Sequence, residues 1–190
     1  MTSPHVPPPF RILIDRDQIL RRTRELVREV QAQLGSDQPP CLVAVIEGAR
    51  PFARIVQQLL PGALMVREVR AKSYQGTTST GDVTVTMMPG LDAGTVAGQD
   101  VILLEDIVDT GRTIQKLREH FAELGARSVR VLTMLSKPSR RVVDVAVEHI
   151  GFEIPDEFVI GFGMDLDGRY RELEDVVVYD AEVERTAANS

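Results

Sequence analysis

The sequence predicts an α/β fold, with a parallel central sheet flanked by helices. Two short continuous apolar runs, Cys41–Ile46 and residues 101–104, are typical of strands buried on both faces. A helical segment at residues 112–124 and a further strand at 128–135 follow the second run. Because strand, helix and strand in this order favour a parallel arrangement, these segments predict one parallel sheet with helices against its faces.

The length and composition favour one cytoplasmic domain. A chain of 190 residues suits a single core, and its apolar content of 43% can supply that core. The single cysteine, Cys41, cannot form an internal disulfide and is expected in the core. No apolar stretch approaches the ~20 residues that span a bilayer, so no membrane partner is expected. A net charge of −6 argues against a broad nucleic-acid-binding surface.

The first part of the chain contains two predicted helices. Residues 15–35 carry apolar side chains at helical spacing, with Asp15 as the predicted N-cap and Gly35 as the predicted end. Residues 51–60, after the first apolar strand, form the second helix. The N-terminal arm, residues 1–10, contains four prolines and is expected to be flexible.

Two strands of alternating polarity flank a polar segment in the middle of the chain. The strands are predicted at residues 63–69 and 83–87. The segment between them, residues 72–82, consists mostly of small polar residues with two glycines. We name residues 72–82 the flap, and we expect it to be the mobile connection of a β-hairpin.

Shorter strand-like pieces follow at residues 142–150, 158–161 and 176–179. They predict a small hood over the carboxyl edge of the sheet, built mainly from residues 150–180 together with N-terminal residues. The predicted domain therefore spans residues 11–180. Residues 181–190 are expected to form a flexible polar tail.

The most informative segment is residues 101–113, where an apolar strand runs into three acids, two threonines and a glycine that opens a helix. Such loops lie where open α/β sheets bind ligands. Amides at a helix N-terminus attract anions, and Gly111 allows close approach, so residues 109–113 predict a phosphate site. Glu105 and Asp106 would repel that phosphate unless they bound ribose hydroxyls or a divalent cation. A lone acid could simply complement the helix dipole, but three within five residues favour binding.

Residues 104–113, with the sequence LEDIVDTGRT, resemble the phosphoribosyl-pyrophosphate motif of type I phosphoribosyltransferases. The form EDIVDTG is similar to the hypoxanthine-guanine branch of that family. Further matches lie, in order, at residues 72–74, 137–141, 151–155 and 169–173. The resemblance covers about residues 11–179. It implies the type I fold, with a parallel central sheet, a small C-terminal hood and a β-hairpin flap.

The resemblance implies roles for the residues of this motif. Glu105 and Asp106 bind the ribose hydroxyls and Mg²⁺, and Asp109 is the catalytic acid or base beside the purine N7. A free aspartate has a pKa of ~3.9, so proton exchange near neutral pH requires burial or an anionic neighbour to raise that pKa. The implied phosphoribosyl-binding set is Glu105, Asp106, Asp109, Thr110, Gly111, Arg112 and Thr113.

Other matched residues are implied to bind the purine. Lys137 donates to the exocyclic 6-oxygen, Phe158 stacks on the purine face, and the backbone of Val159 contacts the base edge. Asp165, in the same purine site, is a third magnesium-associated carboxylate. A lysine at a strand end is usually solvated and a phenylalanine is usually core, so the surrounding pattern is what favours binding.

The remaining implied residues bind pyrophosphate or belong to the flap. Arg171, together with the loop at Glu47 and Gly48, binds pyrophosphate. Ser73 and Tyr74 lie in the flap, which shields the reacting carbon from water.

The pyrophosphate loop departs from the family pattern. The family commonly carries lysine or arginine immediately before the glycine, where this chain has Glu47. Either the carboxylate turns away and backbone amides bind pyrophosphate, or Arg50 partly compensates for its charge. The family often has a non-proline cis peptide in this loop, which would lie between Ile46 and Glu47.

These residues together predict a magnesium-dependent enzyme of purine salvage. It would convert hypoxanthine or guanine and phosphoribosyl pyrophosphate into IMP or GMP and pyrophosphate. Two alternatives stay open: a phosphoribosyltransferase for xanthine or a pyrimidine, and a regulator that senses phosphoribosyl pyrophosphate without catalysis. The family implies a homodimer or homotetramer. The preference among hypoxanthine, guanine and xanthine is left open.

Overall fold

The computed structural model describes residues 10–34, 39–62, 64–73 and 83–181. Within this part of the chain, strands lie at Arg11–Ile14 (β1), Cys41–Ile46 (β2), Val66–Ser73 (β3), Val83–Met87 (β4), Asp100–Val108 (β5), Ser128–Ser136 (β6), His149–Glu153 (β7), Val159–Ile160 (β8) and Val176–Val178 (β9). The α-helices lie at Arg16–Gln33 (α1), Arg50–Leu59 (α2), Ala93–Val96 (α3) and Arg112–Glu123 (α4), with a short 3-10 helix at Pro138–Arg140.

Six strands of the described chain form the central sheet, in the order β4-β3-β2-β5-β6-β7. Strands β3, β2, β5, β6 and β7 run parallel, and β4 is antiparallel to β3 at one edge. Side chains alternate across β5. Ile102 and Leu104 belong to an apolar cluster with residues of α1 and α2, whereas Val101 and Leu103 belong to a cluster with residues of α4. These layers confirm the predicted α/β fold.

The two longest helices begin or end as their sequences predict. Asp15 caps α1: its carboxylate accepts the Gln18 amide at 2.8 Å, and the Gln18 side chain accepts the Asp15 amide at 2.9 Å. Gly125 ends α4 with a φ of 82°. The amide of the next residue, Ala126, donates back to the Phe121 carbonyl, which closes a Schellman turn. Gly35, the predicted end of α1, lies outside the described residues.

The strand predicted at residues 142–150 is wrong in most of its length, because pairing with β6 begins only at His149. The Glu148 carboxylate accepts the Val131 amide at 2.7 Å, so a side chain takes the place of a ladder hydrogen bond. Earlier in the segment, the amide of Val142 donates to the Thr110 carbonyl at 3.1 Å. The alternating valines therefore pack against the loop before α4 instead of forming a strand.

Several strand ends also differ from the predictions. Strand β5 continues to Val108, so Glu105 and Asp106 lie inside the strand and not in the loop after it. Strand β3 begins at Val66 and not at residue 63, which lies outside the described residues. The β1 strand was not predicted, since its four residues are too few to show a period.

A second, smaller sheet has the order β1-β9-β8 with antiparallel pairing. It combines an N-terminal strand with two strands from residues 150–180, the segment predicted to form most of the hood. The domain boundaries stay a prediction. The loop between β8 and β9 reaches the central sheet. A Cβ built at Gly163 would lie 2.0 Å from the Gly48 carbonyl oxygen, and Gly163 has a φ of 95°. Both the contact and the conformation therefore require glycine.

The strands beside the flap are antiparallel, and Ser73 pairs with Val83 at their ends. Most of the flap, including Tyr74, lies outside the described residues. Within the residues that the structure covers, no helix is both long and apolar enough to cross a membrane.

The starts of β5 and β6 are joined by the carboxylate of Asp100. It accepts from Arg127 Nη2 at 2.5 Å and from Ser128 Oγ at 2.6 Å. The hydrogen bond from Arg127, and then that from Ser128, lower the pKa of Asp100 from 3.8 to about 2. The ionised form of Asp100 therefore stabilises the folded state.

We expect Asp100→Asn to lower the free energy of unfolding at pH 7 by about 1 kcal/mol. Because the folded-state pKa is depressed, this stabilisation is present above the unfolded pKa and is lost as the pH falls from about 4 to about 2. Urea unfolding of both proteins across this range measures the difference. Asp144→Asn, at an exposed residue, is the matched control, and a deficit that persists unchanged at pH 2 would contradict the mechanism.

We expect Gly163→Ala to lower the free energy of unfolding by about 2–4 kcal/mol, because it adds a backbone clash to an unfavourable φ. Gly168→Ala is the matched control. Gly168 also has a positive φ, 80°, but an added Cβ there meets no atom within 4 Å. The control should lose only about 1 kcal/mol. Urea unfolding of the two variants measures the comparison, and equal losses would show that the contact with Gly48 contributes nothing.

Candidate active site

The chain segments after two parallel strands, β2 and β6, meet β5 at the carboxyl edge of the central sheet. Gly48 follows β2 and packs on Asp106 of β5, since a Cβ built at Gly48 would lie 1.7 Å from Asp106 Oδ2. Lys137 follows β6 and donates its amide to the Val108 carbonyl of β5 at 3.0 Å. The β8–β9 loop reaches the same edge through Gly163. Residues far apart in sequence are thus held together by backbone contacts.

The two adjacent acids of β5 are enclosed in this edge. Glu105 is only 7% exposed, and its Oε2 atom has no hydrogen-bond partner among the described residues. Burial, with the charge of Asp106 beside it, raises the pKa of Glu105 well above its usual range. Burial also raises the pKa of Asp106 to about 6, although the amide of Ile107 donates to it. A cation or a donor that reached these oxygens would therefore stabilise their ionised forms.

Asp165 and Arg171 form an ion pair beside Asp106. Asp165 Oδ1 accepts from Arg171 Nη2 at 2.6 Å, and Oδ2 accepts the Gly168 amide at 2.7 Å. Arg171 Nη1 also donates to the Gly163 carbonyl at 2.6 Å. The charge of Asp165 raises the pKa of Asp106, whereas that of Arg171 lowers it. The structure therefore brings three of the predicted residues, Asp106, Asp165 and Arg171, together.

The predicted phosphate site is a glycine-led helix start. Gly111 is the N-cap of α4 with a φ of 85°, and no side chain caps the helix there. Thr110 Oγ1 lies 3.5 Å from the Arg112 amide, at the limit of a hydrogen bond. A Cβ at Gly111 would lie 2.9 Å from Val145 and 3.0 Å from Val143. The residue must therefore be glycine, and the N-terminus of α4 attracts anions.

The side chain of Asp109 is paired with a cation. Arg140 Nε lies 3.2 Å from Asp109 Oδ1 and 3.6 Å from Asp156 Oδ1. Arg141 donates to the carbonyls of Val108 and Asp109 and to Ser136 Oγ. The sequence matched residues 137–141 to the family but did not show that Arg140 contacts Asp109. The available signal for this contact was the presence of basic residues after β6, at the same edge of the sheet as the acids.

Of the predicted purine-binding residues, Lys137 follows β6, whereas Phe158 and Val159 lie at the start of β8. Lys137 is only 8% exposed, and its Nζ is 3.9 Å from Asp156 Oδ1. Phe158 is 53% exposed and meets the Tyr179 ring edge-on, with centroids 5.8 Å apart. Val159 is buried in β8. Asp156, which sequence reasoning missed, connects Lys137 and Arg140.

The side chain of Glu47 points to β3. Its carboxylate accepts from Arg50 Nη1 at 2.5 Å and from Arg70 Nη2 at 2.7 Å. The Ile46–Glu47 peptide bond is cis, as the family pattern implies. The Glu47 carboxylate therefore has a partner on β3, and Arg50 offsets its charge, whereas pyrophosphate binding by the backbone amides stays a prediction.

A cavity of about 450 Å³ lies between α1, α2 and the β8–β9 loop. Pro51, Arg54, Phe162 and Arg171 are among its lining residues. Glu105, Asp109 and Lys137 do not line it, but Arg171 belongs both to this cavity and to the charged cluster at the sheet edge.

Comparison with known proteins identifies the family. The family model for the phosphoribosyl transferase domain matches residues 13–167. The hypoxanthine-guanine phosphoribosyltransferase of Streptococcus thermophilus is 36% identical over 91% of this chain and 94% of that protein. A crystal structure of a hypoxanthine-guanine phosphoribosyltransferase from Bacillus anthracis superposes with a TM-score of 0.82, at 30% identity over 90% of this chain and 98% of that chain. The chain therefore belongs to the phosphoribosyltransferase family, in its hypoxanthine-guanine branch.

Proposed function

We propose that the chain transfers the phosphoribosyl group of phosphoribosyl pyrophosphate to hypoxanthine or guanine, forming IMP or GMP and releasing pyrophosphate. The observation that carries this proposal is the pair of adjacent acids, buried Glu105 and partly buried Asp106, on the strand that leads into the uncapped N-terminus of α4. Paired carboxylates suit a ribose and a divalent cation, and the helix N-terminus suits the 5′-phosphate. The named relatives support the choice of base.

The carboxylates of this site fit a magnesium ion. Glu105 has a buried oxygen without a partner in the described part of the chain, and Asp106 and Asp165 lie at the same edge. Among the described residues, no group of three or more acidic, histidine or cysteine side chains can hold a metal by itself. Magnesium suits such a site, since it keeps water and substrate phosphates as ligands. When bound, it supplies positive charge that stabilises the leaving pyrophosphate.

The protein's own residues bind and orient the two substrates. Glu105 and Asp106 accept hydrogen bonds from the ribose hydroxyls, and residues 109–113 hold the 5′-phosphate with backbone amides and threonine hydroxyls. Gly48 and Arg171 hold the pyrophosphate. This arrangement places the anomeric carbon between the base and its leaving group, so positioning supplies much of the rate enhancement.

Asp109 and Lys137 act on the base. A purine nitrogen attacks the anomeric carbon as the bond to the pyrophosphate oxygen breaks, and Asp109 accepts the purine proton that is then lost. Arg140 orients the Asp109 carboxylate at 3.2 Å. Lys137 donates to the 6-oxygen, Phe158 stacks on the ring, and the Val159 backbone meets the base edge. A buried ammonium donor favours a 6-oxo group over a 6-amino group.

Location and assembly complete the proposal. A cytoplasmic enzyme acting as a homodimer or homotetramer stays the prediction from the sequence. Closure of the flap over the site, with Ser73 and Tyr74, likewise stays a prediction.

The first test is a magnesium-dependent assay with phosphoribosyl pyrophosphate and, separately, hypoxanthine, guanine, xanthine, adenine and uracil. We expect turnover of hypoxanthine or guanine, and a loss of about 10²–10⁴-fold in kcat/KM for Asp109→Asn, because the base that removes the proton is gone. Asp144→Asn, at an exposed aspartate, is the control and should keep full activity. Bound phosphoribosyl pyrophosphate without turnover of any base would contradict the enzyme and favour a sensor. Preferential turnover of xanthine or uracil would assign a different base.

A second test concerns the choice of base. We expect Lys137→Met to lower kcat/KM for hypoxanthine by about 10- to 100-fold, because a charge-assisted hydrogen bond to the 6-oxygen is lost. Turnover of adenine, which lacks this oxygen, should fall much less. Lys116→Met is the control, since the Lys116 side chain is 52% exposed on α4. Equal losses with both bases would show that Lys137 does not read the 6-position.

A further inference from the structure

Glu47 belongs to a network of four charged side chains. Besides its bonds to Arg50 and Arg70, the network includes Glu68, whose two oxygens accept from Arg50 Nε at 2.8 Å and Nη2 at 2.9 Å. The hydrogen bond from Arg50 is the main cause that lowers the pKa of Glu68. Two acids and two arginines thus alternate, and their charges cancel.

This network ties the pyrophosphate loop, residues 47–50, to the strand that leads into the flap. Ile46 of β2 pairs in register with Arg70 of β3, so Glu47 lies one residue beyond that pair. Arg70 in turn precedes Lys72, the first residue of the flap, by two positions. The Glu47–Arg70 ion pair is therefore a side-chain connection between the loop and the base of the flap.

The opposite side of the loop is packed against the site. The Gly48 α-carbon has no room for a Cβ beside Asp106 Oδ2, and the Gly48 carbonyl oxygen lies against Gly163. No acceptor within the described residues receives the Gly48 amide. The loop is thus fixed on one face by Asp106 and Gly163 and on the other by Arg50 and Arg70. A shift on the arginine face would move the Gly48 backbone.

The charge of Glu47 has two opposite consequences for an anion in this loop. A free carboxylate would repel pyrophosphate, whereas a carboxylate bound to two arginines adds little repulsion and holds the backbone. The Glu47 and Arg70 side chains are 37% and 40% exposed, so their pair contributes little to overall stability. Its effect should therefore be on the geometry of the loop.

We propose that Glu47 is a positioning residue, which acts through Arg70 to hold the loop of residues 47–50 in the form that binds the pyrophosphate group of the substrate. The inference rests on the proposed function and deepens it. In this role Glu47 favours pyrophosphate binding, whereas an unpaired carboxylate at the same position would oppose it.

The test compares Glu47→Gln, Arg70→Gln and the double variant with the wild type. We expect each single change to raise the KM for phosphoribosyl pyrophosphate about fivefold, the change that corresponds to about 1 kcal/mol, with the KM for hypoxanthine unchanged. The double variant should be no worse than the poorer single variant, because both remove the same pair. Asp100→Asn, which breaks an ion pair at the start of β5, is the control and should leave both KM values unchanged.

Calorimetric titration with magnesium pyrophosphate provides a second readout that needs no turnover. Pyrophosphate affinity should fall about fivefold in each single variant. A Glu47→Gln protein that binds pyrophosphate as well as the wild type, or better, would overturn the inference, because it would mean that the carboxylate only repels the ligand. If the wild type turned over no base, but the variants still bound pyrophosphate more weakly than the wild type, the proposed reaction would be refuted. The role of Glu47 in pyrophosphate binding would be retained.

Discussion

The structure is arranged around two adjacent acids, Glu105 and Asp106, in one of the two central strands of its larger sheet. Burial raises the pKa of both carboxyl groups, so their ionised forms are unfavourable without a partner. The neighbouring residues accommodate Asp106. Gly48 has no side chain that would displace Asp106. The positive charge of Arg171 opposes the rise in the pKa of Asp106. A cation or a polyol that gave these ionised carboxylates a partner would therefore be bound tightly.

Backbone contacts, more than side-chain packing, keep the parts of this site in place. The amide of Lys137 joins the end of β6 to β5, and the Thr110 carbonyl receives the Val142 amide. Arg141 adds hydrogen bonds to the carbonyls that precede the phosphate loop. Loops from separate strands are therefore held at fixed distances. Glu105 and Asp106 lie in β5 itself, whereas Asp109, Lys137 and Asp165 lie on loops, and the parallel sheet supplies the rigidity.

The sequence predicted those features that depend on a local pattern. The capping box at Asp15, the apolar strand β5 and the glycine that opens α4 each have a signal within a few residues. Residues 142–148 misled the prediction because their alternating valines pack on a loop, which a period of two does not reveal. The contacts of Arg140 with Asp109 and of Arg70 with Glu47 were not predictable. Composition shows that charges are present but not which of them meet across the fold.

Pairing of charges also explains how an acidic site could accept a polyanion. Three arginines at the proposed site have carboxylate partners: Arg171 with Asp165, Arg140 with Asp109, and Arg70 with Glu47. Under the proposed function, phosphates compete for the arginines, while magnesium and ribose hydroxyls offer the released carboxylates new partners. Binding then exchanges one set of charge pairs for another. Because the phosphates release carboxylates that magnesium then binds, phosphoribosyl pyrophosphate and magnesium should each strengthen the binding of the other.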